Sequence, residues 1–229
     1  MRSAWRRLLL VLAGVILLLV FLPYAIVPFY RYVQPVSTPM LWRWLTGGRV
    51  ERIIVPLSRI APSLPLSVIV AEDGSFCRNR GVDLGAVREA LQQADKDIVQ
   101  ARGGSTITQQ TAKNLFFWQG RSFVRKALEF PLALWINLVL PKRRVLEIYL
   151  NIVQWGPNGE FGAEAAARWA FGKSAHDLTG RESAELSAIL PNPVRRSARA
   201  PSSWVRKLAS LYVRRAATYP VLDACVRGP

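Results

Sequence analysis

Glu72 and Asp73 stand side by side after an apolar run, Ser67 to Ala71, and before a turn-rich stretch, Gly74 to Gly81. A carboxylate in such a place can take the proton of a hydroxyl nucleophile, or it can be a helix cap or half of an ion pair. A second segment with chemical potential is Gly103-Gly104-Ser105-Thr106-Ile107-Thr108-Gln109-Gln110, followed by Lys113 and Asn114. Two glycines let the backbone approach a ligand, and a helix opening after them offers free amides to an anion. The spacing is not that of a Walker loop, and the competing reading is a glycine turn with a polar helix face. Arg121, Arg125, Lys126 and Glu129 form the third set. Arg125 and Glu129 are four apart, which suits an intrahelical ion pair. With Lys113 and Arg121 they could instead build a cationic pocket around one carboxylate, suited to a diphosphate. A divalent cation such as Mg2+ could then be shared by Glu129.

The elements that must position these residues are mostly helices. Leu84, Val87, Leu91, Ala94 and Ile98 recur at spacings of three and four behind Asp83, a candidate cap. Further helices are predicted over 106–117, 122–140 with a kink or break near Pro131, 142–151, and 162–171 ending at Gly172. Thr179 and Glu182 have capping-box spacing before a helix that must stop at Pro191, and a last helix opens near Ser202 or Ser203. Arg52 to Leu57 reads as a short strand. The class is mainly α.

At 229 residues, 51% hydrophobic and 20% charged, the chain can bury a core. Its 31 Lys and Arg against 15 Asp and Glu, a formal +16, point to an anionic partner such as nucleic acid, a lipid surface or a phosphate-bearing substrate. Leu8 to Leu22 and then Tyr24 to Tyr30 carry no charge, and the 8–30 stretch can cross a hydrocarbon core of roughly 30 Å. No small-residue cleavage pattern follows it, so a retained anchor is favoured over a signal peptide. Arg2, Arg6 and Arg7 are nearly balanced by Arg31, Arg43 and Arg49, and charge gives only a weak vote for an outside domain. The division is a 1–7 tail, an 8–30 anchor, a 31–54 connector and a 55–229 domain. Within the connector, Leu41 to Leu45 suits either a membrane interface or ordinary packing. One histidine, His176, argues against a zinc site or a Ser-His-Asp triad. Cys77 and Cys225 form no clear framework, and their pairing is left open.

From about Val55 to Pro193 the chain resembles the peptidoglycan glycosyltransferase family, which polymerises lipid II into glycan strands. The resemblance rests on four ordered motifs: Glu72-Asp73 with Phe76 and Gly81, the Gly103 to Asn114 block, Arg125-Lys126-x-x-Glu129, and Arg144 to Asn151. It implies a lysozyme-like helical domain with a smaller membrane-proximal lobe, behind one transmembrane helix. It is closest to the monofunctional, N-terminally anchored members, since no Ser-x-x-Lys or Lys-Thr-Gly of a transpeptidase occurs. It implies an inner-membrane, single-pass protein with its catalytic domain in the periplasm. Lipid II and the nascent strand would be substrates, with cell-division or elongation proteins as candidate partners. Nucleic acid has only net charge in its favour. Glu72 and Glu129 are the expected catalytic residues, with Glu129 also the candidate metal ligand. Asp73, Ser105, Thr106, Gln109, Gln110, Lys113, Asn114, Arg121, Arg125 and Lys126 are expected to bind substrate. Cations around Glu72 should favour its ionised form. Phe116, Phe117 and Trp118 face either lipid or core. The family usually has histidine where Asn79 stands; asparagine hydrogen-bonds but carries no charge, so the position reads as loop support. That departure keeps two rivals in view, a lipid II-binding scaffold with weak or no activity and, on a similar fold, a hydrolase.

Overall fold

The computed structural model describes residues 2–85, 88, 104–120, 122–219 and 225–226, and these are mostly helical. The order is α1 (Arg2–Ile26), α2 (Thr38–Leu45), β1 (Glu51–Arg52), α3 (Ser63–Glu72), α4 (Ile107–Phe116), α5 (Phe123–Val139), α6 (Lys142–Ile152), β2 (Glu160–Phe161), α7 (Ala163–Phe171), α8 (Gly180–Ile189) and α9 (Ser203–Ala217). The two strands pair in parallel, Glu51 opposite Glu160 and Arg52 opposite Phe161. The helix expected over Leu84 to Ile98 lies mostly outside the described residues.

Local chemistry sets the helix boundaries. Thr106 opens α4 and Thr179 opens α8 with complete capping boxes, Gln109 and Glu182 answering from the third position. Ser122 and Ser202 cap α5 and α9. Gly172 ends α7 in the left-handed region, φ 69°. One expectation gives way, and of the two alternatives at Pro131 the break does not occur. The strand over 52–57 shrinks to β1, because the Val55 and Leu57 amides bond side chains of α6 rather than a neighbouring strand. Pro131 does not break α5, which runs on to Val139 and buries Leu132, Ala133 and Ile136 beyond the proline; that packing offsets the missing amide bond.

α3 is apolar on every side, and such a helix belongs in a core. Leu64, Val68, Ile69 and Val70 are buried, with α8 and α9 packed against the helix. α4 lies against α5 and α6. The end of α3, which carries Glu72, meets α4 through the Gln110–Glu72 and Ile107–Asp73 hydrogen bonds. The segment read as a connector is docked along α6. Arg144 donates from Nε to Tyr30 O at 2.8 Å and from Nη2 to Val33 O at 2.7 Å. Glu147 accepts the Leu57 amide at 2.8 Å and Gln34 Nε2 at 3.1 Å. The fully buried Asn151 grips Val55, accepting its amide at 3.0 Å and donating to its carbonyl at 2.9 Å.

α1 is long and apolar enough to cross a membrane, and its Leu8–Leu22 side chains are exposed rather than packed in the core. α5 lies against it: Trp135 Nε1 donates to Tyr24 O at 3.0 Å. Phe123, Val124 and Leu138 of α5 and Leu41, Trp42, Trp44 and Leu45 of α2 are exposed too, adding apolar surface to that of the anchor. Phe116 stacks on Tyr30 with ring centroids 6.0 Å apart, and Phe117 packs on the core, whereas Trp118 is half exposed.

Cys77 and Cys225, 148 residues apart in sequence, form a disulfide. A ring of that length restricts the unfolded chain by about 5 kcal/mol in the chain-entropy account. Asn151→Ala leaves the Val55 amide and carbonyl without partners inside the fold. The expected result is a fall in Tm of roughly 5 °C or more, read by thermal unfolding of the full chain in detergent.

Candidate active site

The site is organised by Asp73, the residue that closes α3. Its Oδ2 accepts the amide of Ile107, the first residue of α4, at 3.0 Å. Asn79 Nδ2 donates to both carboxylate oxygens, at 2.9 and 3.1 Å, and the Ser75 hydroxyl lies 3.1 Å from Oδ1. A negative charge suits this position, because helix N-termini carry unsatisfied amides and a partial positive charge. Asn79 Oδ1 accepts Lys142 Nζ at 2.8 Å and the Gly81 amide at 3.0 Å. Gly81 is held at φ 92°, and a Cβ there would strike the Ala133 carbonyl and the Asn137 side chain of α5. Its own carbonyl accepts the Thr106 hydroxyl at 2.6 Å. The turn after Glu72 is thereby fastened to α4, α5 and α6.

Glu72 is half-buried next to this knot. Its Oε2 accepts Gln110 Nε2 at 2.8 Å, and Gln110 Oε1 accepts the buried Tyr149 hydroxyl at 3.0 Å. The phenol can only donate to that oxygen, which sets the orientation of the Gln110 amide. Oε1 of Glu72 makes no hydrogen bond among the described residues. Burial pushes the Glu72 carboxyl above its ordinary value, and the Asp73 charge adds to the rise; the Gln110 bond and the charges of Lys113 and Arg196 oppose it without cancelling it. The expectation that cations set its ionisation is corrected here: loss of water outweighs them.

Lys113 lies one turn beyond Gln110 on α4, on the same face. Burial lowers its pKa first, then the Arg125 charge, while Glu129 opposes the shift. Arg125 is ion-paired to Glu129 and donates from Nη2 to Gly120 O at 2.6 Å. Lys126 Nζ donates to Ser105 Oγ at 2.6 Å and stands 3.8 Å from Glu129 Oε2. Glu72, Lys113 and the Arg125–Lys126–Glu129 group thus form one electrostatic neighbourhood, with Ser105 at its edge. Among the described residues no three His, Cys, Asp or Glu side chains gather as a metal cluster.

Known proteins of similar sequence place the chain in a family. The transglycosylase family model matches residues 40–216. A biosynthetic peptidoglycan transglycosylase of Nitrobacter winogradskyi is 56% identical over 211 residues, covering 92% of this chain and 93% of the relative. One from Rhodopseudomonas palustris is also 56% identical with the same coverage, and one from Rhizobium meliloti is 45% identical over 217 residues, 94% and 91% of the two chains. The chain belongs to the transglycosylase family. The helical architecture behind one apolar N-terminal helix is the one the resemblance implied.

Within this transglycosylase the expected site residues separate by position. Gln110 bonds Glu72, and Lys113 feels the charges of Glu72 and of the Arg125, Lys126 and Glu129 group. Thr106 and Gln109 are buried and are used to open α4, Thr106 Oγ1 accepting the Gln109 amide and Gln109 Oε1 the Thr106 amide. Asn114 Nδ2 turns back to Gln110 O at 2.8 Å. Asp73 binds backbone and Asn79. Arg121 and Gly103 lie outside the described residues. Three contributors had been missed. Tyr149 was inside a quoted motif, but nothing in its spacing showed that its hydroxyl meets Gln110. Lys142 sits 4.6 Å over the Phe76 ring and holds Asn79, and burial lowers its pKa to about 8. Arg196 lies past the matched motifs; its guanidinium covers the Trp204 ring at 4.3 Å and donates to Ala188 O at 3.1 Å.

Arg196→Ala removes a charge that favours ionised Glu72. If Glu72 must be ionised to act, the acid limb of the pH–rate profile moves to higher pH, and Gln110→Ala moves it the same way. A limb unmoved by either change would show that another group governs it.

Proposed function

We propose that this transglycosylase is a peptidoglycan glycan-strand polymerase and that Glu72 is its general base. The 4-hydroxyl of the incoming lipid II sugar loses its proton to Glu72 as its oxygen bonds to C1 of the donor strand. The bond from C1 to the lipid diphosphate breaks on the opposite face, so the α-linked diphosphate becomes a β-1,4 glycan and undecaprenyl diphosphate departs. A sugar hydroxyl is a weak nucleophile near neutral pH, and a positioned base supplies what it lacks. A base with a raised pKa takes the proton more readily, provided that it is still ionised at working pH.

The observation that carries this reading is a carboxylate with one oxygen unengaged among the described residues, within the electrostatic reach of Lys113, which the Arg125, Lys126 and Glu129 charges also reach. A raised carboxyl pKa alone would suit a glycosidase acid as well. A glycosidase, however, expels a neutral sugar hydroxyl, which has no use for Lys113, Lys126 and Arg125. A departing diphosphate does, because negative charge grows on it as the bond breaks. Lys113, between Glu72 and the Arg125–Glu129 pair, is proposed to meet the diphosphate first, with Lys126 beside it. Glu129 holds Arg125 in place through their ion pair. These residues do not by themselves make a cage for a divalent cation, since the Glu129 oxygens face Arg125 and Lys126. No step is assigned to a metal.

Asn79 supports an active enzyme rather than an idle scaffold. It satisfies Asp73 through neutral hydrogen bonds, and the turn that presents Glu72 needs no titrating group there. The apolar helix α1 serves as a single-pass anchor, proposed to lie in the inner membrane with the domain on the periplasmic side. The Cys77–Cys225 disulfide supports that side, since such bonds persist in oxidising compartments. Tethering keeps the catalyst in the plane where a lipid-linked substrate diffuses.

Glu72→Gln keeps an amide oxygen for Gln110 and removes the base. Polymerisation of purified lipid II should fall by about a thousandfold while lipid II binding survives. Wild-type-like turnover in that variant would end the assignment. Shortening of preformed glycan, without polymer, would favour a hydrolase instead.

A further inference from the structure

The turn that presents Glu72 is also held from outside, by the C-terminal end of the chain. Cys77 lies in the middle of this turn and is bonded to Cys225, with the two Cα atoms 5.6 Å apart. Two residues beyond α9, the Tyr219 hydroxyl donates to the Gly74 carbonyl at the start of the same turn. Cys77, Tyr219 and Cys225 pack against the core, and Val226 is buried. Between these attachments stand Ser75, which bonds Asp73, and Phe76, which is fully buried beneath Lys142; Asn79, two residues past Cys77, holds Asp73 as well. Gly74 and Gly81 bound the turn, so its backbone has freedom at both ends that the attachments remove. The cross-link has no counterpart in the motifs that carry the chemistry.

We propose that the Cys77–Cys225 disulfide, with Tyr219, is a positioning clamp that holds the Glu72–Asp73 turn in its working geometry, making turnover dependent on oxidation of this pair. The proposal rests on Glu72 as base and on an oxidising location. A protein disulfide donor of that compartment supplies the oxidation. A thiolate of the pair attacks the donor's disulfide to form a mixed disulfide, and the second cysteine, also as thiolate, displaces the donor. The pair loses two electrons and two protons, and the donor leaves as a dithiol. Cys77 and Cys225 touch no reacting atom and act through the placement of Glu72 and Asp73.

The test uses the full-length chain, isolated in detergent from the exported form. Alkylation without reductant should find no free thiol, and alkylation after dithiothreitol should find two. The reduced and alkylated protein should lose roughly tenfold or more in kcat with KM for lipid II within about twofold, at a temperature well below its melting point. Reoxidation of reduced, unalkylated protein by glutathione disulfide should restore kcat. The Cys77→Ser/Cys225→Ser protein should have the lowered kcat and no response to dithiothreitol. Tyr219→Phe, with the disulfide intact, keeps the fold and should make kcat more sensitive to reduction. Full kcat after reduction overturns the clamp, as does parallel loss of kcat and lipid II binding, which would mean general destabilisation. Free thiols in the isolated protein overturn it together with the location. A fully active Glu72→Gln enzyme whose kcat still falls on reduction would overturn Glu72 as base and with it the clamp's stated target.

Discussion

A buried carboxylate is tolerated only where donors replace the water that it has lost, and Asp73 meets that condition by drawing three parts of the chain together. The end of α3 supplies the carboxylate, the start of α4 supplies the Ile107 amide, and the turn between supplies Asn79 and Ser75. Each partner is then committed elsewhere, Asn79 to Lys142 and Gly81, and Gly81 to Thr106. Asp73, Gly81 and Thr106 are buried, so removing a partner of any of them strands a polar group away from water. Glu72 inherits its position from this knot as the residue before it.

The two adjacent acids therefore do different things. Burial raises the pKa of both, and the difference lies in what they hold. Asp73 is surrounded by backbone and amide donors and serves the fold. Glu72 has one bond, from a glutamine that Tyr149 orients, and feels the charges of Lys113 and Arg196. Charge and burial act in opposition there, and burial prevails, so the site holds a carboxylate more basic than usual within reach of cations.

Membrane attachment is built into the same scaffold. Arg144, Glu147 and Asn151 of α6 hold the segment that follows the anchor, while Tyr149, on the same helix, faces Gln110. α5 bears Glu129 on its buried face and lies against α1 through Trp135. One helix face carries charge chemistry and another meets the apolar helix α1, so packed helices connect the site to the candidate anchor.

Much of this was legible in the residues. Helix periodicity and caps are local properties, so Thr106, Thr179, Ser202 and Gly172 marked their boundaries without tertiary information. The apolar N-terminal run and the ordered motifs identified an anchored glycosyltransferase, because a motif reports residue type and order. They could not say which motif residue faces a substrate. Thr106 and Gln109 looked like ligands and are buried in a cap; in the motif Arg144 to Asn151, Arg144, Glu147 and Asn151 dock residues 30–57, while Tyr149 meets Gln110. Arg196, Lys142 and the Cys77–Cys225 bond depend on contacts between residues far apart in sequence, and spacing carries no trace of them. Glu72 was marked as the catalytic carboxylate by its motif, but how basic it is depends on how much water the fold removes and where the cations stand. Desolvation is a property of the packed molecule, and only the tertiary structure decided it.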